Sequence, residues 1–434
     1  MNIKVIGAGL AGCEAAWQVA QAGIDVDLYE MKPVKFSPAH HSSNFAELIC
    51  SNSLKAERVE SAAGLLKAEM RRLGSLLVDC AYECRVPAGG ALAVDRDRFS
   101  GMVTQKLQNY NRIHICHQEI KAIPPEGITV IATGPLTSDD LAAQIDLLCG
   151  GRLSFFDAAA PIVTAESLNM DKVFAASRYG KGGDDAYLNC PMNKEEYERF
   201  YDALLHAERA PVHDCDVADP KVYEGCMPVE VMAQRGADTL RFGPLKPVGL
   251  RDPNTGHRPW AVVQLRREDK PGTMYNLVGF QTNLRFPEQK RVFGLIPGLE
   301  NAEFTRYGVM HRNTFLNSPQ VLNSDYSVRK NSNLFFAGQI TGVEGYMESA
   351  SSGIMAGRNA ARRLKGLDSL TLPDDTMIGA LSRYVASGGE ADFQPMGANF
   401  GIMPPLEAPI RDKKERYAAI SARALRSLDR YLSD

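Results

Sequence analysis

The amino-acid sequence predicts an α/β fold in which a parallel-sheet domain is split by an inserted α+β domain. Two segments support this prediction, because each has the pattern of a strand, a glycine-rich turn and a helix: "IKVIGAGLAGCEAAWQVA" at the start, and "NLFFAGQITGVEGYMESASSGIMAG" near the end. If both belong to one sheet, the middle of the chain is an insertion. We therefore predict that residues 1–155 and 326–434 form one domain and that residues 156–325 form the inserted one.

The first glycine turn has the spacing of a dinucleotide-binding motif. Gly7, Gly9 and Gly12 form a GxGxxG pattern after a strand, and the next strand, "DVDLYE", ends on Glu30. The glycines allow a pyrophosphate to approach, the amides at the helix start bind its charge, and the acid accepts hydrogen bonds from ribose hydroxyls. The predicted nucleotide-binding residues are Gly7, Ala8, Gly9, Leu10, Ala11, Gly12 and Glu30.

Two later strand ends add to this pattern. The strand in "GITVIATGP" stops at Thr133 and Gly134, and "FFAGQ" precedes the second glycine-rich helix. Together with the N-terminal motif, these segments resemble FAD-binding Rossmann-like domains of the glutathione-reductase type, although Gln339 stands where those proteins usually have Asp. The resemblance implies FAD as the cofactor. It also implies five further binding residues: Thr133, Gly134, Gly338, Gln339 and Gly345.

The predicted insertion mixes helices and strands. "PMNKEEYERFYDALLHAER" has the periodicity of an amphipathic helix, whereas "RPWAVVQLRRED" and "GTMYNLVGFQTNLRF" alternate as strands joined by a Pro-Gly turn. The C-terminal "RDKKERYAAISARALRSLDRYL" predicts a basic helix, which we expect to be a solvated surface element that could also contact RNA.

Charge is unevenly distributed along the chain. The net charge is -3, but residues 226–291 contain eleven Lys and Arg against six Asp and Glu. This local excess of +5 leaves -8 on the remainder and predicts a basic patch that an RNA could contact. The patch has interleaved aromatic residues, although solvated strands explain the same pattern. Its candidate residues are Arg235, Arg241, Phe242, Lys246, Arg251, His257, Arg258, Trp260, Arg266 and Arg267.

The sequence gives no sign of a membrane protein. No apolar run approaches the roughly 20 residues that span a bilayer. Glycines interrupt the first residues, which also lack the cationic start of a signal peptide. We therefore expect a cytoplasmic protein, and its nine scattered cysteines are expected to be reduced thiols.

The second glycine segment is similar to that of two flavoprotein families that modify tRNA uridines, GidA and TrmFO. "PAHHSSNFAELICSNS", "VPAGGALAVDRDRFS", "YEGCMPVEVMAQRG" and "YGVMHRNTFLNSP" resemble TrmFO in particular, over essentially the whole chain. This resemblance implies methylation of carbon 5 of uridine 54 in the tRNA T loop, which produces ribothymidine. The implied one-carbon donor is 5,10-methylenetetrahydrofolate, with FAD as carrier and reductant and NADH or NADPH as the electron source. No obligate protein partner is implied.

Uracil chemistry gives a reason for reactive thiols. Carbon 5 is a poor nucleophile, so enzymes commonly add a thiolate to carbon 6, and a base later removes the carbon 5 proton. Cys50 in "ELICSNS" and Cys226 in "YEGCMP" match the positions of the family's reactive thiols. We expect Cys226 to engage uracil and Cys50 to act as acid or base, although the opposite assignment stays open. The seven cysteines expected to be structural are Cys13, Cys80, Cys84, Cys116, Cys149, Cys190 and Cys215.

Folate sites need an aromatic or apolar face and cations. His311 and Arg312, beside Tyr307 in "RYGVMHRNTF", could supply a stacking surface over the flavin, although a structural histidine fits equally well. Arg96 and Arg98 could meet pyrophosphate or folate carboxylates, or simply begin a solvated helix. No metal site is predicted, because "HICH" lacks paired CxxC or HExxH partners.

Several alternatives remain open from the sequence. A GidA-like enzyme would modify a wobble uridine, and a related methyltransferase would act on a ribosomal RNA uridine. A small-molecule FAD oxidoreductase would need no basic insertion. A flavin-binding interaction module would need no reactive thiol.

Overall fold

The computed structural model describes residues 2–180, 186–210, 227–387 and 393–433; for residues 152–157, 311 and 312 it describes only the backbone. Within these ranges the strands are β1 (Ile3–Ile6), β2 (Val26–Glu30), β3 (Ser53–Ala56), β4 (Arg85–Val86), β5 (Ala91–Val94), β6 (Ile113–His117), β7 (Thr129–Ile131), β8 (Arg152–Ala158), β9 (Ile162–Thr164), β10 (Phe174–Ala175), β11 (Tyr187–Met192), β12 (Ala261–Arg267), β13 (Met274–Leu277), β14 (Phe304–Arg306), β15 (Met310–Leu316), β16 (Ser327–Val328) and β17 (Asn331–Phe336). The helices are α1 (Leu10–Gln21), α2 (Ala62–Arg72), α3 (Leu76–Glu83), α4 (Arg96–Gln108), α5 (Asp139–Cys149), α6 (Lys194–Leu205), α7 (Val229–Gln234), α8 (Thr239–Phe242), α9 (Phe286–Phe293), α10 (Ser318–Val321), α11 (Tyr346–Leu364), α12 (Met377–Ser387) and α13 (Lys413–Ser433).

The first sheet is built from both ends of the chain. Its strand order is β16-β17-β7-β1-β2-β6, and every pair is parallel except the edge pair of β16 and β17. Helix α1 connects β1 to β2, as parallel neighbours require. This arrangement confirms the predicted α/β class, with β17 inserted beside β7 although nearly two hundred residues separate them in the chain.

Glycines allow the two helices of this domain to pack closely. A Cβ atom at Gly353 of α11 would lie 2.1 Å from the carbonyl oxygen of Ala11, and one at Gly357 would lie 2.6 Å from that of Ala15. Because no side chain fits at either point, α11 rests directly on the backbone of α1. Both helices follow strands of the same parallel sheet, so this contact brings their N-terminal ends together at one edge of the sheet.

A second, antiparallel sheet lies in the middle of the chain. Its order is β10-β11-β12-β13-β9-β14, and α6 and α9 pack on it through a core that includes Phe200, Phe280 and Phe293. The amphipathic helix predicted here is α6, which begins with a capping box between Asn193 and Glu196. The predicted domain boundaries stay a prediction.

The C-terminal helix is less exposed than its composition predicts. Ile420, Ala424 and Leu428 of α13 are buried, and the hydroxyl of Ser421 donates a hydrogen bond to the carbonyl of Val59. The expected surface helix therefore also buries one face against the rest of the domain. No helix in the described ranges is both long enough and apolar enough to cross a bilayer.

Candidate active site

A cavity of about 440 Å³ lies where the parallel strands end. The loops after β1, β2, β7 and β17 form its walls, together with the N-terminus of α11 and the irregular segment before β3. The structure brings together twelve of the residues that the sequence singles out. They are Gly7, Ala8, Gly9, Leu10, Ala11, Glu30, Cys50, Thr133, Gly134, Gly338, Gln339 and Gly345.

Gly12 does not line this cavity. A Cβ atom at Gly12 would lie only 1.7 Å from the carbonyl oxygen of Gly7, so α1 packs directly on the turn that precedes it. Gly7 has φ +98, a conformation that favours glycine. The two glycines therefore shape the turn, and Gly12 does so from the side away from the cavity.

The start of α1 is open toward the cavity. Its N-cap residue, Gly9, supplies no side-chain hydrogen bond, and a Cβ atom at Gly9 would meet no protein atom within 4 Å. The first amides of a helix have no partner within the helix and carry a partial positive charge. This end of α1 is thus a cradle suited to an anion such as a pyrophosphate.

Glu30 holds the cradle in place while keeping acceptor capacity. One of its carboxylate oxygens accepts the amide of Ala8 at 2.8 Å and the other accepts the amide of Lys32 at 3.0 Å. A carboxylate oxygen has two lone pairs, so each retains one for another donor. Glu30 is buried and lines the cavity, as a ribose-binding acid would.

Cys50 lies on the cavity wall in an irregular segment between β2 and β3. Its sulfur is 3.1 Å from the phenol oxygen of Tyr346, which also accepts the amides of Cys50 at 2.8 Å and Ser51 at 3.2 Å. The two amides occupy the lone pairs of the phenol, so its proton is directed to the sulfur. Burial raises the pKa of Tyr346 well above its ordinary value, which keeps that proton on the phenol.

Arg96 fixes the backbone just before Cys50. Its guanidinium donates to the carbonyls of Leu48 at 2.6 Å and Ile49 at 3.0 Å, and it pairs with Glu268 at 2.5 Å. The suggestion that Arg96 meets a pyrophosphate or folate carboxylate, or is a solvated helix start, is not what the structure shows. Its role is to tie the Cys50 segment to the end of β12.

Arg266 holds the side chains of the two residues that follow Cys50. Its guanidinium donates to the side chains of Asn52 and Ser51, both at 2.7 Å, and Asn52 in turn donates to the carbonyl of Arg267 at 2.8 Å. Arg266 is buried, and burial lowers its pKa. It is therefore not an RNA contact, as its place in the basic stretch had suggested, but a support for the Cys50 segment.

A buried carboxylate in the cavity was missed by sequence reasoning. One oxygen of Glu348 accepts Lys55 Nζ at 2.9 Å and the amide of Ala398 at 3.0 Å. The other oxygen is buried and has no hydrogen-bond partner among the residues that the structure describes. The only sequence signal was an acid in the first turn of a glycine-rich helix, which looks like ordinary helix chemistry.

Four of the other cysteines are placed as structural residues. Cys13, Cys80, Cys84 and Cys190 are buried, and burial raises their pKa values, that of Cys80 to about 12. Cys116 and Cys149 are half-buried outside the cavity. Cys215 and Cys226 lie outside the described residues. In the described ranges, no group of three or more His, Cys, Asp or Glu could hold a metal.

The folate candidates are placed only in part. His311 and Arg312 lie on β15, where they pair with residues 157 and 156 of β8, and only their backbone is described. Asn313 of the same strand lines the cavity. Tyr307 does not line the cavity, because its ring is stacked between those of Phe286 and Phe304.

Comparison with known proteins shows what this chain is related to. A family model described as "Glucose inhibited division protein A" matches residues 2–368. A protein of Acetivibrio thermocellus named "Methylenetetrahydrofolate--tRNA-(uracil-5-)-methyltransferase TrmFO" is 61% identical over 99% of this chain and 98% of its own. The chain belongs to the TrmFO family. TrmFO proteins of Desulfitobacterium hafniense and Pelotomaculum thermopropionicum, which carry the same full name, are 61% and 59% identical over the same shares.

The solved structures add evidence on the fold. GidA of Aquifex aeolicus, in one crystal form, has a TM-score of 0.70 and 17% identity to this chain and covers 98% of it, with 73% of the GidA chain matched. A second crystal form gives the same score. At this identity the likeness shows a shared fold, which confirms the predicted fold class for this member of the TrmFO family.

Proposed function

We propose that this protein methylates carbon 5 of uridine 54 in the T loop of tRNA, with 5,10-methylenetetrahydrofolate as the one-carbon donor. The observation that carries the proposal is the 61% identity to a protein named for this reaction, over 99% of the chain. A GidA-like wobble-uridine reaction and a small-molecule oxidoreduction are not favoured by such identity. We propose the cytoplasm as its location and no obligate protein partner.

The residues of the cavity fit FAD. The open cradle at Gly9 suits the pyrophosphate, and Glu30 keeps a lone pair on each oxygen for ribose hydroxyls. The unpartnered oxygen of Glu348 is a further acceptor that a bound donor would satisfy. When bound, FAD supplies redox chemistry, with electrons from NADH or NADPH, and one-carbon carriage.

Cys50 is placed to move a proton. A thiolate at this position is stabilised by the phenol proton of Tyr346, and as a base it would take the carbon 5 proton of uracil after the new bond has formed. Arg96 holds the backbone before Cys50 and Arg266 holds the side chains after it, so the sulfur has a defined position on the wall. We therefore propose Cys50 as the acid or base of the reaction.

Cys226 is proposed as the thiol that adds to carbon 6 of uracil. It lies outside the described residues, but three peptide units connect it to Val229, whose amide donates to the carbonyl of Gln281 at 2.7 Å. Gln281 lines the cavity. Consecutive Cα atoms are about 3.8 Å apart, so Cys226 is joined to the cavity wall by a short connection.

Hydrogen bonds also fix the described residues next to this connection. The buried carboxylate of Glu230 accepts the hydroxyl of Thr282 at 2.9 Å and the amide of Asn283 at 2.7 Å, while Asn283 donates to the carbonyl of Ala210 at 3.0 Å. Ala210 and Met227 are the described residues on either side of the segment that contains Cys226. Both sides of this segment are thus fixed beside Gln281.

Folate would bind against the same cavity. We propose that His311 and Arg312 contact it, with the imidazole offering a stacking face and the guanidinium a partner for carboxylates. The support is their position on β15 next to Asn313, which lines the cavity.

Transfer of label tests the function directly. The purified holoenzyme is incubated with NADPH, methylenetetrahydrofolate labelled in its methylene carbon, and tRNA that lacks ribothymidine. Label in ribothymidine at position 54, and none in a tRNA with cytidine at that position, is the expected result. Label that appears only in ribosomal RNA, or at the wobble position, would contradict the proposal.

A further inference from the structure

Three aromatic rings form a stack on the surface of the antiparallel sheet domain. The ring of Tyr307 is 4.5 Å from that of Phe286, at an angle of 16°, and 5.1 Å from that of Phe304, at 7°. Phe286 forms one end of the stack and is 50% exposed. A stack of this kind presents a flat apolar face to solvent at its outer end.

The stack is held rigidly by a buried amide. The side chain of Gln289, on α9, donates to the carbonyl of Gly308 and accepts its amide, both at 2.8 Å, and it also donates to the carbonyl of Leu284 at 2.7 Å. These bonds tie the residue after Tyr307 to the helix that begins at Phe286. A surface that is ordered in advance loses little entropy when it binds a ligand.

The stack lies beside the cavity rather than inside it. The residue after Gly308, Val309, accepts the amide of Ala159 at 2.8 Å, and Ala159 lines the cavity wall. Gln281, which lies five positions before Phe286 in the segment between β13 and α9, also lines the cavity. None of the three rings is part of the cavity lining. The stack is therefore connected to the cavity wall through its chain neighbours on two sides.

The surroundings of the stack carry a small excess of cations. Residues 285–291 contain Arg285, Lys290 and Arg291 against one acid, although Arg291 pairs with Glu288 at 2.6 Å and Arg285 pairs with Glu208 at 2.9 Å. Arg209 is exposed and forms a β-bridge with Leu284, which precedes them. An aromatic face among cations is the chemistry that binds unstacked bases of a single-stranded nucleic acid. A folate pterin fits less well, because it has to meet the cofactor inside the cavity.

We propose that Phe286 is a platform on which a nucleobase of the RNA substrate stacks, and that this base is a loop neighbour of the target uridine. The proposal rests on the proposed function, because it identifies how the RNA of that reaction is held. The bases next to a uridine that leaves its loop lose a stacking partner, and Phe286 replaces that partner beside the cavity.

The test measures RNA binding by the flavin-loaded full chain. The probe is a T-arm hairpin with 2-aminopurine next to the target uridine. We expect Phe286→Ala to weaken binding by roughly 5- to 150-fold, the range for loss of one base stack, and to abolish the fluorescence change on binding. Phe286→Trp restores both. Leu147→Ala on α5 is the control, since Leu147 is an apolar residue that is 81% exposed and lies outside both the stack and the basic stretch.

Each outcome decides the matter. Equal RNA affinity of Phe286→Ala and wild type, with flavin content and melting temperature preserved, overturns the proposal. A raised KM for methylenetetrahydrofolate at unchanged RNA affinity overturns it in favour of folate, and altered sedimentation at unchanged affinity overturns it in favour of an interface between copies. A wild-type protein that binds the hairpin but never methylates it contradicts the proposed function and leaves the stacking result standing.

Discussion

The phenol of Tyr346 and the thiol of Cys50 link the two ends of this chain at the active site. The phenol oxygen lies 3.1 Å from the sulfur and accepts the amides of Cys50 and Ser51. Tyr346 is the first residue of α11, which the parallel sheet and the packing on α1 hold in place. The position of the proposed acid or base is thus set by the same helix that packs on α1, whose start forms the proposed nucleotide cradle.

Replacement of Tyr346 by Phe removes this link without removing the ring. We expect methylation turnover to fall by roughly 10- to 150-fold, because a hydrogen bond to a charged group contributes about 1.5–3 kcal/mol. Flavin should remain bound. Steady-state rates with the labelled folate check this, and Tyr384→Phe is the matched control because its phenol donates to Gln394 away from the cavity. Equal losses in both variants would argue against a specific role.

Gly9→Ala tests the cradle. Its Cβ atom would meet no protein atom within 4 Å, and Gly9 has φ -73, so the substitution should not strain the chain. We expect an unchanged melting temperature of the flavin-free protein but reduced flavin content, because the methyl group occupies space at the start of α1. Absorbance of the purified protein measures the flavin. Gly90→Ala, at an exposed turn with equal space, should retain it.

Arg266→Ala tests whether the insertion supports the Cys50 segment. The variant leaves the buried side-chain oxygen of Asn52 without a donor, at about 1–3 kcal/mol, and removes one of the two donors to the hydroxyl of Ser51. We expect lower stability in urea and lower turnover. Arg258→Ala, on an exposed residue of the same basic stretch, should leave stability unchanged. A variant of Arg266 with normal stability and reduced RNA binding would restore the RNA-contact interpretation.

Glu69 predicts a pH dependence of stability. Burial raises its pKa to about 8, although its carboxylate accepts the amides of Met377 and Ile378. In the unfolded chain the pKa of a Glu is about 4.3. Between that pH and the folded-state value, the folded chain therefore binds more protons than the unfolded chain. The free energy of unfolding should therefore fall as the pH rises from about 5 to 8, by at most about 1.4 kcal/mol per pH unit from this group.

Urea unfolding at several pH values checks this slope. Glu69→Gln should make it less steep, because glutamine does not titrate, whereas Glu60→Gln, on an exposed residue, should leave it unchanged. A slope that is the same in all three proteins would mean that Glu69 is ionised in the folded state.

The sequence indicated which residues form the proposed nucleotide cradle because that part of the site is local. Gly7, Gly9 and Glu30 lie close together in the chain, and their spacing reflects one turn and one strand. The supports of Cys50 could not be predicted in this way. Arg96, Arg266 and Tyr346 come from three distant elements and meet only in the folded chain, and nothing in a basic strand indicates that one arginine points inward.

The Cys50→Ala variant with FAD bound provides the most direct measurement of the central claim. Label transfer from methylenetetrahydrofolate to uridine 54 of tRNA is measured for this variant and wild type at equal flavin content. If Cys50 moves the proton, transfer to ribothymidine should be lost while flavin absorbance and NADPH-dependent flavin reduction are retained. Ribothymidine formed at the wild-type rate would contradict the account.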